Sequence, residues 1–169
     1  MFKLNVKGSS MRFQNIPAVD YDFGGSHARM LVSGKQSAGS YCMLEITSPA
    51  GRATPNHKHE HEEETIHVLD GELSVNIEGK VHTLGTGETL LLQRGTAHQL
   101  INQSNRSARY LVICAPAGFD DFVETCAEPL FAPFELPAPS AAAKERMRAA
   151  APKFGITLLP PSEVNASAR

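Results

Sequence analysis

The sequence predicts an all-β domain closed by short helices, and three observations carry that prediction. From about residue 29 to residue 115 the chain is a run of short segments rich in Val, Ile, Leu, Thr and Tyr. Each segment ends in Gly, Asn, Asp or Pro, at the close spacing of an antiparallel sandwich or barrel. After Pro116 the apolar residues change from strand to helix spacing. With 169 residues, 41% of them hydrophobic, the chain can build one domain with a real core.

The expected strands follow in order: "RMLVSG", "GSYCMLEIT", "TIHVLDG", "ELSVNIEGK", "KVHTLGTGE", "TLLLQRG", "AHQLINQ" and "ARYLVICAP". "LDG" at 69–71 and "EGK" at 78–80 read as tight turns. Beyond Pro116, Phe119, Phe122 and Val123 share a helical face, and Asp120 and Asp121 suit the first turn of that helix. "APFELPAPS" is a Pro-rich connector. Ser140 then caps a second helix through Ala150, with Pro152 and Gly155 near its end. The division expected is an N-terminal arm over 1–28, a β-barrel over 29–116 and a helical extension over 117–169. Such an extension packs on an open barrel edge or on a dimer partner; a lid built on Phe119 and Phe122 is the lesser reading.

A formal net charge of −2 gives no electrostatic reason to expect nucleic acid or an anionic membrane as partner. No apolar run approaches the roughly 18 residues of a spanning helix, and "MFKLNVKGSSMRFQNIP" lacks the apolar stretch of a signal peptide. Met11 is a second candidate start. Cys42, Cys114 and Cys126 are far apart in sequence and form no CxxC pattern. A disulfide framework or thiolate zinc site is therefore not expected, and a reducing cytoplasm is the expected location.

The segment "RATPNHKHEHEEETIHVLDG" (52–71) crowds histidines beside carboxylates. In an extended strand alternate side chains share a face, so His57 and His59 point the same way. Inside a barrel, two imidazoles need partners to offset desolvation, and a divalent metal satisfies both. On the returning strand Glu64 shares a face with Ile66 and Val68, an expensive place for an unpaired carboxylate. Glu64 is thus the best third ligand, with Glu63 its nearest rival. A fourth ligand is expected from a distant strand, where His98 shares a face with Leu100 and Asn102 after the "QRG" turn. The competing readings are structural. His61, Glu60, Glu62 and Glu63 read as a solvated turn, His67 and His82 as ordinary sheet residues, and His27 as a residue without a partner in view.

These spacings resemble the two motifs of the cupin superfamily. The first, G-x5-H-x-H-x3–4-E-x6-G, is matched by Gly51, His57, His59, Glu64 and Gly71. The second, G-x5-P-x-G-x2-H-x3-N, is matched by Gly87, Gly95, His98 and Asn102, with Gln93 where the family has proline. The resemblance implies a cupin-type jelly-roll β-barrel holding one divalent metal on His57, His59, Glu64 and His98, and a homodimer. Within the superfamily the layout is similar to the single-cupin proteins grouped with quercetin 2,3-dioxygenases.

Three imidazoles and a carboxylate leave open positions on an octahedral ion for a substrate oxygen or dioxygen. The function expected is a metal-dependent dioxygenase acting on a small enol or aromatic, flavonol-like compound, with Glu64 as the base. The alternatives are isomerase or decarboxylase chemistry on the same metal, and a non-catalytic ligand-binding protein. Nickel, manganese, iron, cobalt, copper and zinc all fit such ligands. Met43, Ile66, Val68 and Leu100 are candidate pocket walls.

Overall fold

The computed structural model describes residues 17–131 and 138–160. Met11, most of the N-terminal arm and much of the Pro-rich connector lie outside the described residues. Ten strands precede the first helix: β1 (Val19–Phe23), β2 (Ser26–Val32), β3 (Cys42–Ser48), β4 (His57–His59), β5 (Glu63–Asp70), β6 (Glu72–Ile77), β7 (Lys80–Gly85), β8 (Thr89–Leu92), β9 (His98–Ile101) and β10 (Ala108–Ala115). There follow α1 (Phe119–Cys126), β11 (Glu128–Leu130), α2 (Ala141–Ala150), a 3-10 turn (Ala151–Phe154) and β12 (Ile156–Leu158).

The strands form two antiparallel sheets, ordered β11-β1-β2-β3-β10-β5-β8 and β12-β4-β9-β6-β7. This is the all-β jelly roll that the sequence predicts. Alternation builds it: in β3 the residues Cys42, Leu44, Ile46 and Ser48 are buried while those between them are half-buried. In β10 the buried set is Ala108, Tyr110, Val112 and Cys114. β5 buries Glu64, Ile66 and Val68, so the one carboxylate enters the core on the same face as two aliphatic side chains.

The barrel begins earlier than residue 29. That boundary falls inside β2, where Ala28 is fully buried, and β1 precedes it in the same sheet. The signal is Gly24-Gly25 between two alternating runs, a two-residue hairpin loop with φ of 64° and 79°. The tail also contributes strands, since β11 pairs with β1 and β12 pairs with β4. Ser140 caps α2 by accepting from the Ala143 N–H at 3.0 Å. Cys42 and Cys114, far apart in sequence, face each other across β3 and β10 as buried free thiols. The hydrogen bond from Cys42, together with burial, pushes the Cys114 thiol well up from the usual range.

Two motif positions show what the fold demands of them. Gly71 has φ of 85°, and a Cβ there would lie 3.1 Å from the Ser107 carbonyl oxygen. Asn102 is fully buried, and its amide nitrogen meets the carbonyls of Ser48 (2.9 Å), Pro49 (3.1 Å) and Arg106 (2.8 Å). It ties the end of β9 to the β3 exit. Asn102→Ala leaves those carbonyls without their donor and is expected to cost about 2–4 kcal/mol of stability, measured by denaturant unfolding.

Candidate metal centre

Three separated stretches of chain meet at one point. β4 carries His57 and His59 and pairs with β9 so that His57 faces His98 in register. Glu64 lies near the start of β5 in the opposite sheet, beside Cys114 of β10. One ligand atom from each of His57, His59, Glu64 and His98 lies within 4.8 Å of the others. The structure therefore brings together the four residues that the spacing argument selects. His59, Glu64 and His98 are buried and His57 is half-buried.

Hydrogen bonds around the rim determine what these rings present to one another. His57 Nδ1 lies 2.8 Å from the Pro55 carbonyl and His98 Nδ1 lies 2.9 Å from the Thr96 carbonyl. A carbonyl only accepts, so each Nδ1 bears a hydrogen and the Nε2 of each neutral ring is left as a lone pair. His98 Nε2 is 2.9 Å and His59 Nε2 is 3.6 Å from Glu64 Oε2. Yet Glu64 Oε2 and the Nε2 atoms of His59 and His98 are buried with no partner in hydrogen-bonding geometry. Converging acceptors without a donor are costly in a core. A cation is the partner that suits them, and imidazole and carboxylate donors suit a divalent transition ion.

The charge states differ from ring to ring. Burial, with His98 beside it, pushes His57 down to about 3, so its ring stays neutral. Burial pushes Glu64 up, but His98, His59 and His57 outweigh that and hold it down to about 2. Burial opposes a charge on His98, and the adjacent Glu64 more than reverses this, raising its value.

Glu62 departs from expectation. It is not a solvated turn residue but is only 2% exposed, with Oε2 3.4 Å from His59 Nδ1. A histidine ligand that turns Nε2 inward needs an acceptor behind Nδ1, and Glu62 is the group placed there. That requirement was the available signal, hidden by three consecutive glutamates. Glu63, by contrast, is exposed. His61 is exposed and packs against Gly155, Glu60 pairs with Lys58 at 2.9 Å, and His67 Nδ1 meets Thr89 Oγ1 at 2.8 Å. His82 is half-buried in β7. His27 has a partner after all, Asp20 at 2.6 Å.

Above the cluster lies a cavity of about 880 Å³ whose lining includes His57 and Glu64. Of the four residues predicted as walls, Leu100 lines it; Ile66 and Val68 are core, and Met43 lies on the opposite face of β3 from buried Leu44. The aromatic part of the wall is Phe23, Phe119, Phe122 and Tyr110. Phe119 and Phe122 are buried, and the Phe119 ring stands edge-on to His59 with centroids 5.5 Å apart. Burial, with Glu64 nearby, raises the Tyr110 hydroxyl well above its ordinary value, so it stays a neutral donor.

A double-sheet β-barrel with an inward three-histidine, one-glutamate cluster defines a class of metal-site proteins. Comparison with known proteins agrees: the cupin domain family matches residues 44–114, the stretch of the barrel that carries His57, His59, Glu64 and His98. It is 30% identical over 87 residues to quercetin 2,3-dioxygenase of Bacillus subtilis, which covers 52% of this chain and 26% of that protein. It is 27% identical over 111 residues to endoribonuclease YbeY of Myxococcus xanthus, covering 66% of this chain and 37% of that one. The matched stretches thus span well under half of either curated relative. Among solved structures, the cupin-superfamily sugar phosphate isomerase of Silicibacter pomeroyi superposes with a TM-score of 0.50 at 19% identity, covering 57% of this chain and 63% of that one. The last likeness is one of fold. No helix of the described residues is long and apolar enough to cross a membrane.

Replacing His57, His59 or His98 by alanine is expected to strip most of the bound metal, whereas His61→Ala retains it; elemental analysis after dialysis reads both. Glu62→Gln is expected to weaken metal binding about 10- to 100-fold while leaving all four ligands in place, measured by competition with a chelator. In chelator-treated protein, His57 is neutral when folded but takes up a proton near its ordinary value of 6.5 when unfolded. Stability should therefore fall as pH drops from 6.5 towards 3, and His57→Gln should flatten that part of a melting-temperature profile.

Proposed function

We propose that this chain is a metal-dependent cupin enzyme, and most concretely a dioxygenase acting on a small enol or aromatic compound. One observation carries the reading: lone pairs of His57, His59, His98 and the Glu64 carboxylate converge beneath a cavity large enough for a small molecule. A divalent ion bound there supplies a Lewis-acid centre with positions open to a substrate oxygen.

Glu64 is anionic and faces the cavity, so it is placed to take the hydroxyl proton of an enol. The enolate left behind is electron-rich enough to serve as the reductant for dioxygen. Tyr110, a neutral donor in the same wall, can hydrogen-bond the substrate's oxygen. Phe23, Phe119 and Phe122 pack at 5.8–5.9 Å centroid distances and keep that side of the chamber dry. The similarity to quercetin 2,3-dioxygenase supports this reading over the Lewis-acid isomerase or decarboxylase. A small molecule is the partner, and a homodimer in the cytoplasm is the proposed state. The metal is proposed as one of nickel, manganese, iron, cobalt, copper and zinc.

Metal-reconstituted protein is expected to consume oxygen with a member of a flavonol and enediol panel, and His98→Ala to abolish that uptake. Product formation at the same rate under argon would instead establish the isomerase or decarboxylase class.

A further inference from the structure

The charged groups of the cavity are unevenly placed. Among the described residues its only carboxylate is Glu64, which belongs to the histidine cluster. Three cations share the lining: Arg52, Lys144 and Arg148. None of them has an ion-pair partner among the described residues, and the chain's net charge is −2, so this is no general excess of base. Lys144 and Arg148 are one turn apart on α2 and bracket Met147, which also faces the cavity.

Arg52 is the most telling of the three. Its Nε is buried and meets no hydrogen-bond partner. The guanidinium is laid over the β1–β2 hairpin, where a Cβ on Gly25 would lie 2.8 Å from Arg52 Cζ and 2.7 Å from Pro139. The glycine thus admits the fork, and Pro139 covers it at the start of α2. Met147 Sδ would sit 3.3 Å from a Cβ on Gly24, so α2 closes the same end of the chamber. A buried guanidinium N–H that meets no acceptor is costly unless a ligand completes it.

We propose that the cavity recognises a small organic carboxylate, its anionic end held by Arg52 and its apolar or aromatic body directed towards the histidine cluster. The proposal rests on the reading of this cavity as the substrate chamber. A planar guanidinium matches a carboxylate through two parallel hydrogen bonds. Lys144 and Arg148 add attraction at longer range. A phosphate would favour a helix N-terminus with free N–H groups. At this end of the chamber Ser140 already occupies that position on α2, accepting from Ala143.

Calorimetric titration of the full chain with 3-phenylpropionate, its neutral amide and 2-phenylethyl phosphate tests this, in metal-loaded and in chelator-treated protein. The carboxylate is expected to bind about tenfold or more tighter than the amide in both forms. Arg52→Gln should abolish that margin and Arg52→Lys should retain part of it. The double substitution Lys144→Gln with Arg148→Gln lies on a solvent-facing helix and leaves the core untouched. It should weaken the carboxylate severalfold and flatten its salt dependence. Equal binding of acid and amide, an unchanged margin in Arg52→Gln, absence of saturable binding by all three probes, or tighter binding of the phosphate would overturn the proposal. So would a margin that vanishes with the metal, because the ion and not Arg52 would then hold the carboxylate. Carboxylate binding that persists without oxygen uptake would remove the dioxygenase reading and leave this one standing.

Discussion

The structure is organised around a crowd of acceptors. Two backbone carbonyls, of Pro55 and Thr96, take the Nδ1 hydrogens of His57 and His98, and this decides which nitrogen each ring turns inward. With those hydrogens committed outward, the neutral rings turn lone pairs towards the carboxylate, and no donor meets Glu64 Oε2 or the Nε2 atoms of His59 and His98 in hydrogen-bonding geometry. Such an arrangement is unfavourable in a core without a cation. Both carbonyls belong to residues two positions before their histidine, so the device is local and is built by the entry turns of β4 and β9.

The rest of the barrel serves to bring those two turns together. β4 is only three residues long and would be a weak element alone. It is held on one side by β9 and on the other by β12, where Ile156 faces His59 and Leu158 faces His57. The turn before β9 is tied to β4 as well, since Gly95 N–H donates to the His59 carbonyl at 2.8 Å. Gln93 stands where the cupin motif has proline, and its carbonyl still accepts from Thr96 N–H at 3.1 Å. The ring of proline is thus dispensable for closing this turn.

Much of this was legible in the chain because the chemistry is local. Alternation marked β3, β5 and β10, and the spacing of His57, His59, Glu64 and His98 named a cluster that the fold assembles. What escaped depends on contacts between remote residues. Nothing near Glu62 distinguishes it from Glu63; one is buried only because β5 starts between them and turns alternate side chains opposite ways. The pairing of Cys42 with Cys114 needs the register of β3 on β10, which no spacing encodes. β11 and β12 are three-residue strands, too short to show a period, and they exist because other strands offer them an edge. The Gly24-Gly25 hairpin is the exception, a local signal that moves the barrel's start to Val19.

These tail contacts bear on how the chain divides into parts. Residues after Pro116 surround His59: Ile156 of β12 lies beside it in the sheet and Phe119 of α1 packs against its ring. Glu62, behind its Nδ1, is itself wedged against Gly118, where a Cβ would lie 2.8 Å from Oε1. A buried imidazole held by three neighbours loses its rotamer freedom during folding, which leaves it pre-positioned towards the cluster. Without the extension, β4 becomes an edge strand, His59 loses the ring that covers it, and α2 no longer brings its cations to the chamber. The helical extension is therefore structural to the histidine cluster and to the cavity above it, and the barrel and its tail pack as one unit around them.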